Sequence, residues 1–74
     1  MLEKKIRRYK AMEMHQEMVR KGQLGAARIL LRLLRNGRVH LGLDDDSWTI
    51  EMACEELGCY IHYDRRGYSA TAHL

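Results

Sequence analysis

Four residues carry whatever metal chemistry this sequence offers: Cys54, Cys59, His62 and His73, spaced C-x4-C-x2-H-x10-H. Thiolate and imidazole are donors that zinc accepts. The spacing matches no strong zinc signature, and the local pattern argues against a shared ion. Cys54 falls on the apolar stripe of a predicted helix, where small buried thiols are common. Cys59 and His62 have opposite parity on a predicted strand, so their side chains point to opposite faces. A Cys54–Cys59 bridge would have to turn around Gly58, and two cysteines allow one disulfide at most. No metal and no cofactor is expected.

Nucleophilic catalysis finds less support still. Ser47, Ser69, the two thiols and four histidines are present, but none sits in a nucleophile elbow, a glycine-rich phosphate loop or a known thiol motif. His62 and His73 share strand parity with Ser69 and Thr71, which cross-strand hydrogen bonding explains. Seventy-four residues leave little room for a water-excluding pocket around a positioned acid and base. The chain reads as a non-enzyme.

Charge is distributed unevenly. Through Arg38 there are eleven basic residues against three acidic ones, a balance of +8; from Val39 onward two basic residues face seven acidic ones, a balance of −5. Such asymmetry favours either an acidic partner for the first half or mutual neutralisation of the halves. Arg28, Arg32 and Arg35, at spacings of four and three, form a ridge of forked donors suited to phosphates or carboxylates. Lys4, Arg8 and the Arg65-Arg66 pair are candidates to extend it. The ordinary reading of such a stripe is a solvated helix face. The other is a grip on a nucleic-acid backbone, weakening steeply as salt rises.

Apolar residues give the second kind of candidate site. Met14 and Met18, with Ala11, occupy one side of the first helix, and Trp48 and Met52 make an i,i+4 pair on another. That is more apolar surface than one small core can use, and methionine and tryptophan are favoured at protein interfaces.

The elements that position these groups follow from periodicity. Leu2 to Lys21 lacks Gly and Pro and is rich in helix formers. Leu2, Ile6, Tyr9, Met12 and Val19 fall on one face of it, opposite Ala11, Met14 and Met18. Glu3/Arg7 and Glu17/Lys21 have the favourable i,i+4 order. Gly22 is expected as its cap, with Gly25 loosening the turn that follows. A second helix runs from about Gln23 to Asn36, with Ala26, Ala27, Leu30, Leu33 and Leu34 as its apolar wedge, Ile29 and Leu31 at the flanks, and Gly37 as its stop.

The period then becomes two: Val39, Leu41 and Leu43 alternate with His40 and Gly42 as a half-buried strand. Asp44-Asp45-Asp46-Ser47 opens a third helix, with Asp46 or Ser47 as its N-cap. Ile50, Ala53, Cys54 and Leu57 form its buried stripe, and Gly58 ends it. A hairpin closes the sequence, with Cys59, Ile61 and Tyr63 on one face of its first strand and Tyr68, Ala70 and Ala72 on one face of its second. Asp64-Arg65-Arg66-Gly67 is the turn between them.

The order α-α-β-α-β-β predicts an α+β domain with a small antiparallel sheet of two to three strands covered by helices. One domain spans residues 1–74, with residues 1–37 a basic helical hairpin and residues 38–74 an acidic βαββ part. A winged helix-turn-helix is rejected in its usual DNA-reading mode. The helix before the hairpin carries Glu51, Glu55 and Glu56 and no base, so phosphate would repel it.

Arginines interrupt the one Leu-rich stretch, which argues against a cleaved signal, and no apolar run spans a membrane. A cytoplasmic location follows as the expectation. The expected function is that of a small regulatory binding protein acting by protein–protein interaction. Inhibitors, adaptors and phage-type or mobile-element anti-host proteins share its size and its lack of chemistry. Its expected contacts are Arg28, Arg32, Arg35, Arg65, Arg66, Trp48, Met52, Met14 and Met18. A homodimer, or a partner helix over the first helix, is also expected. The alternative is a nucleic-acid-binding transcriptional regulator using the basic helices.

Overall fold

Each helix stops where the chain meets a glycine. A computed structural model describes residues 2–67 and 69–74, the side chains of residues 2–4 aside. In it α1 spans Leu2–Arg20, α2 Leu24–Asn36 and α3 Asp45–Leu57. Gly37 takes φ +77°, a left-handed conformation that side chains disfavour, and its N–H donates to the Leu33 carbonyl at 2.8 Å. Gly58 does the same for α3 at φ +71°. The Gln23 N–H closes α1 on the Met18 carbonyl at 2.8 Å. Gly25, expected in the turn, lies inside the first turn of α2. A Cβ there would meet the Asp46 carboxylate from the first turn of α3, which would have to swing aside.

The strands are β1 (Arg38–Leu41), β2 (Tyr60–Tyr63) and β3 (Ala70–His73), in a three-stranded sheet of order β1-β3-β2. Both pairings are antiparallel, and β3 lies in the middle. The α+β architecture and the predicted element order are therefore as expected. Leu43 departs from expectation: β1 ends at Leu41, and Leu43 is 74% exposed. The chain must leave the sheet at Gly42 to reach the Asp44 cap, so the alternation continues in sequence but not in space. The face assigned to Tyr68 lies outside the described residues.

One face of the sheet is packed. Leu41, Ala70 and Ala72 are buried there, with Val39, Cys59 and Ile61 partly so. Against them lie α2 and α3, which supply Leu30, Leu33, Ile50 and Cys54 to the fully buried core. Burying each such leucine contributes about 1.5–3 kcal/mol. The wedge predicted for α2 is its buried face, residue for residue.

α1 packs on α2 and α3 with the face opposite its longest apolar row. Ala11 and Met18 are buried, and Met14 packs against the core. Ile6, Tyr9, Met12 and Val19 stay exposed. Met18 is therefore a core residue and not a projecting anchor. The small Ala11 side chain is the physical reason, since it lets α1 approach its neighbours where a larger residue would hold it off. Among the described residues no helix is long and apolar enough to cross a membrane.

Candidate docking surfaces

The arginine row stands on the solvent face of α2. Arg28, Arg32 and Arg35 are all exposed. Among the described residues the ion pairs are Arg20–Glu17 at 2.9 Å, within α1, and Lys21–Glu17 at 3.8 Å, just past its end. Among the described residues no salt bridge involves Arg28, Arg32 or Arg35. Arg8 is exposed, and its guanidinium donates to the Leu34 carbonyl in the last turn of α2, next to Arg35 in sequence. The side chains of Lys4 and Glu3 lie outside the described residues, as does the expected Glu3/Arg7 pair.

Arg65 and Arg66 are exposed in the Asp64–Gly67 turn, which closes through a Gly67 N–H bond to the Asp64 carbonyl at 3.2 Å. That turn follows Tyr63, at the end of the sheet where Leu41 pairs with Ala70. Arg38 lies at the other end, opposite His73. Arg32 instead joins Arg38: with Asn36, Val39, His40 and Thr71 they line an open groove of about 670 Å³ between α2 and the β1 edge.

The apolar candidates converge elsewhere. Met14 and Met18 from α1 meet Met52 and Ala53 from α3 in a groove of about 200 Å³, rimmed by Glu17, Lys21, Gln23 and Glu56. Met18 forms its floor. Trp48, one turn before Met52, is 63% exposed and Met52 is 46% exposed.

Comparison with known proteins adds nothing to this geometry. No protein-family model, curated protein or solved structure matches the chain.

Both candidate serines have hydrogen-bond partners, Ser69 through Asp64 Oδ2 at 3.0 Å and Ser47 at the start of α3. Asp44, and not Asp46 or Ser47, caps α3: its Oδ1 accepts from the Ser47 N–H at 2.8 Å. That bond, helped by the Ser47 hydroxyl, holds the Asp44 carboxyl below the usual aspartate range. Ser47 is buried, its hydroxyl donating to Asp44 Oδ2 at 3.2 Å and accepting from the Gly42 N–H at 3.0 Å. Burial pushes the Cys54 thiol up to about 12, with the neighbouring Cys59 adding to the shift. Both cysteines are free thiols. Cys59 packs toward the core while His62 lies on the outer sheet face, as their parity predicts. Among the described residues no group of three or more His, Cys, Asp or Glu side chains is placed to hold a metal.

Sequence reading missed Arg38, His40 and Tyr60 as surface candidates. Their alternation was visible, but only the central position of β3 brings them onto one face. Tyr60 stacks near His62 at 6.4 Å and His73 at 5.8 Å between ring centroids.

Proposed function

We propose that this chain is a small non-catalytic regulatory protein of the inhibitor or adaptor type. It docks on a larger protein through the methionine groove between α1 and α3 and the adjoining Trp48. The observation that carries this reading is the meeting of Met14, Met18 and Met52 from two helices in one open groove. Methionine side chains adapt to irregular partner surfaces, and an exposed indole is a favoured anchor. The arginine row adds electrostatic steering toward an acidic partner surface. For self-association, the surface is the exposed α1 row of Ile6, Tyr9, Met12 and Val19.

The test is affinity capture from the native host with partners identified by mass spectrometry, followed by titration of the captured protein. Trp48→Ala with Met52→Ala should abolish binding while the circular dichroism spectrum stays unchanged. Undiminished binding by that double variant removes the groove as the docking site.

A second reading, a nucleic-acid-binding regulator, is favoured by the absence of ion pairs along Arg28, Arg32 and Arg35 among the described residues. It predicts duplex binding that falls steeply with salt and weakens when those three residues become Gln. Absence of binding to duplex DNA and RNA at low salt discards it.

A further inference from the structure

The sheet has a second face, turned away from the helices. The register places two rows across it: Arg38, His73 and Tyr60 in one, His40, Thr71 and His62 in the other. None of these residues is acidic, although the chain has ten Asp and Glu. Four of the six side chains are flat rings, and Tyr60, His62, His40 and Arg38 are exposed. The Tyr60 ring lies near His73 and His62, tilted 41° and 28° to them, so three of the four rings cluster on this face. Along the β1 edge this face runs into the groove that holds Arg32, Asn36, Arg38, His40 and Thr71.

We propose that this face and its groove form a binding site for single-stranded nucleic acid. Two guanidinium groups, Arg32 and Arg38, face the groove with Asn36 and Thr71 as further polar partners. Forked donors of this kind match phosphate oxygens. The rings beside them offer stacking surface to unpaired bases, which every base can use whatever its sequence. Size sets the stoichiometry: strands about 4.8 Å apart and about 3.3 Å of rise per residue give room for two or three bases. A duplex hides its base faces in the stack and so uses only the basic groove. The proposal goes beyond protein docking and rests on neither Trp48 nor the methionine groove, which lie on the helical side of the molecule.

Fluorescence anisotropy with labelled oligouridine and oligothymidine strands of about eight nucleotides, and with a duplex of similar length, tests it. At about 50 mM salt both single strands should bind more tightly than the duplex, and binding should weaken at about 200 mM. Equal affinities for the two strands identify the shared base-and-phosphate chemistry; a preference for oligouridine assigns a contact to the 2′-hydroxyl. Tyr60→Ala should weaken single-strand binding by about 5–150-fold without changing the salt slope, and Tyr60→Phe should restore it. Arg38→Gln should lower the slope by about 1. Trp48→Ala with Met52→Ala should leave all of this unchanged, which separates failure here from failure of the protein-docking reading. Should Tyr60→Ala disturb the fold, as judged by circular dichroism, Tyr60→Phe and Arg38→Gln still decide the matter. Lack of binding at low salt, equal affinity for duplex and single strand, or a slope that ignores Arg38 would overturn the proposal.

Discussion

The Arg8 guanidinium of α1 donates to the backbone carbonyl of Leu34 in the last turn of α2, at 2.6 Å. The final carbonyls of a helix have no partner within it and carry its negative dipole end. Arg8 satisfies one of them and fastens α1 across α2 at the same time. A residue that reads as part of a cationic surface thus also serves the fold.

Replacing Arg8 with Ala should therefore lower stability by about 1 kcal/mol, the usual net contribution of such a bond. Arg28→Ala, on the same protein's solvent face, should change it by less than about 0.5 kcal/mol. Urea midpoints of the two variants provide the comparison; equal midpoints would mean that Arg8 holds nothing.

Leu30 is fully buried between the layers. Leu30→Ala should cost about 2–5 kcal/mol through lost burial and the cavity left behind. In a domain this small that loss approaches the whole folding free energy. The variant's thermal transition should be broad and strongly lowered, or absent; an unmoved transition would show that α2 is not central to the core.

Acid should act on Asp44. Its folded-state carboxyl titrates below the unfolded one because the Ser47 N–H favours the charged form. The stability this cap contributes is full above the unfolded value and disappears as pH falls through the folded one. Wild type and Asp44→Ala should differ in urea midpoint at neutral pH and converge in strong acid. A constant gap across the titration would exclude the capping carboxylate as its source.

Trp48 is the single tryptophan and is largely exposed. Its emission should already be that of a water-exposed indole in the native state and should shift little on unfolding. Acrylamide should quench native and unfolded protein almost equally. A marked blue shift would appear when a protein partner covers the groove beside Met52. A native spectrum that is already blue-shifted would place the indole out of reach.

Self-association is testable on α1. Tyr9→Glu with Met12→Glu places charge in the exposed row without entering the core. Sedimentation of the wild type should show a concentration-dependent dimer that this variant loses with its helicity intact. Equal sedimentation of the two proteins would remove α1 as a self-association surface.

Much of the architecture was legible because its signals are local. Glycines at 37 and 58 mark helix ends, the change of period at Val39 marks a strand, and the leucines of α2 lie on one wedge. What could not be read depends on neighbours. α1 carries apolar residues on two faces, and only contact with α2 and α3 decides for Ala11 and Met18 over Ile6 and Tyr9. Three consecutive aspartates all suit a helix start; Ser47 selects Asp44 by offering its N–H three residues on. The site behaves similarly. The exposed arginines and Trp48 followed from helical spacing, whereas the methionine groove requires α1 and α3 to lie side by side. The ring-bearing sheet face requires β3 to separate β1 from β2.

That placement of β3 also governs how the molecule comes together. Among the described residues, β1 and β2 each find their one sheet partner in residues 70–73. Until that stretch has emerged from the ribosome, neither has a ladder to join, and the apolar sides of α2 and α3 await their cover. A premature stop ahead of Ala70 would therefore erase every strand pairing at once, where loss of an outer strand would have trimmed only one.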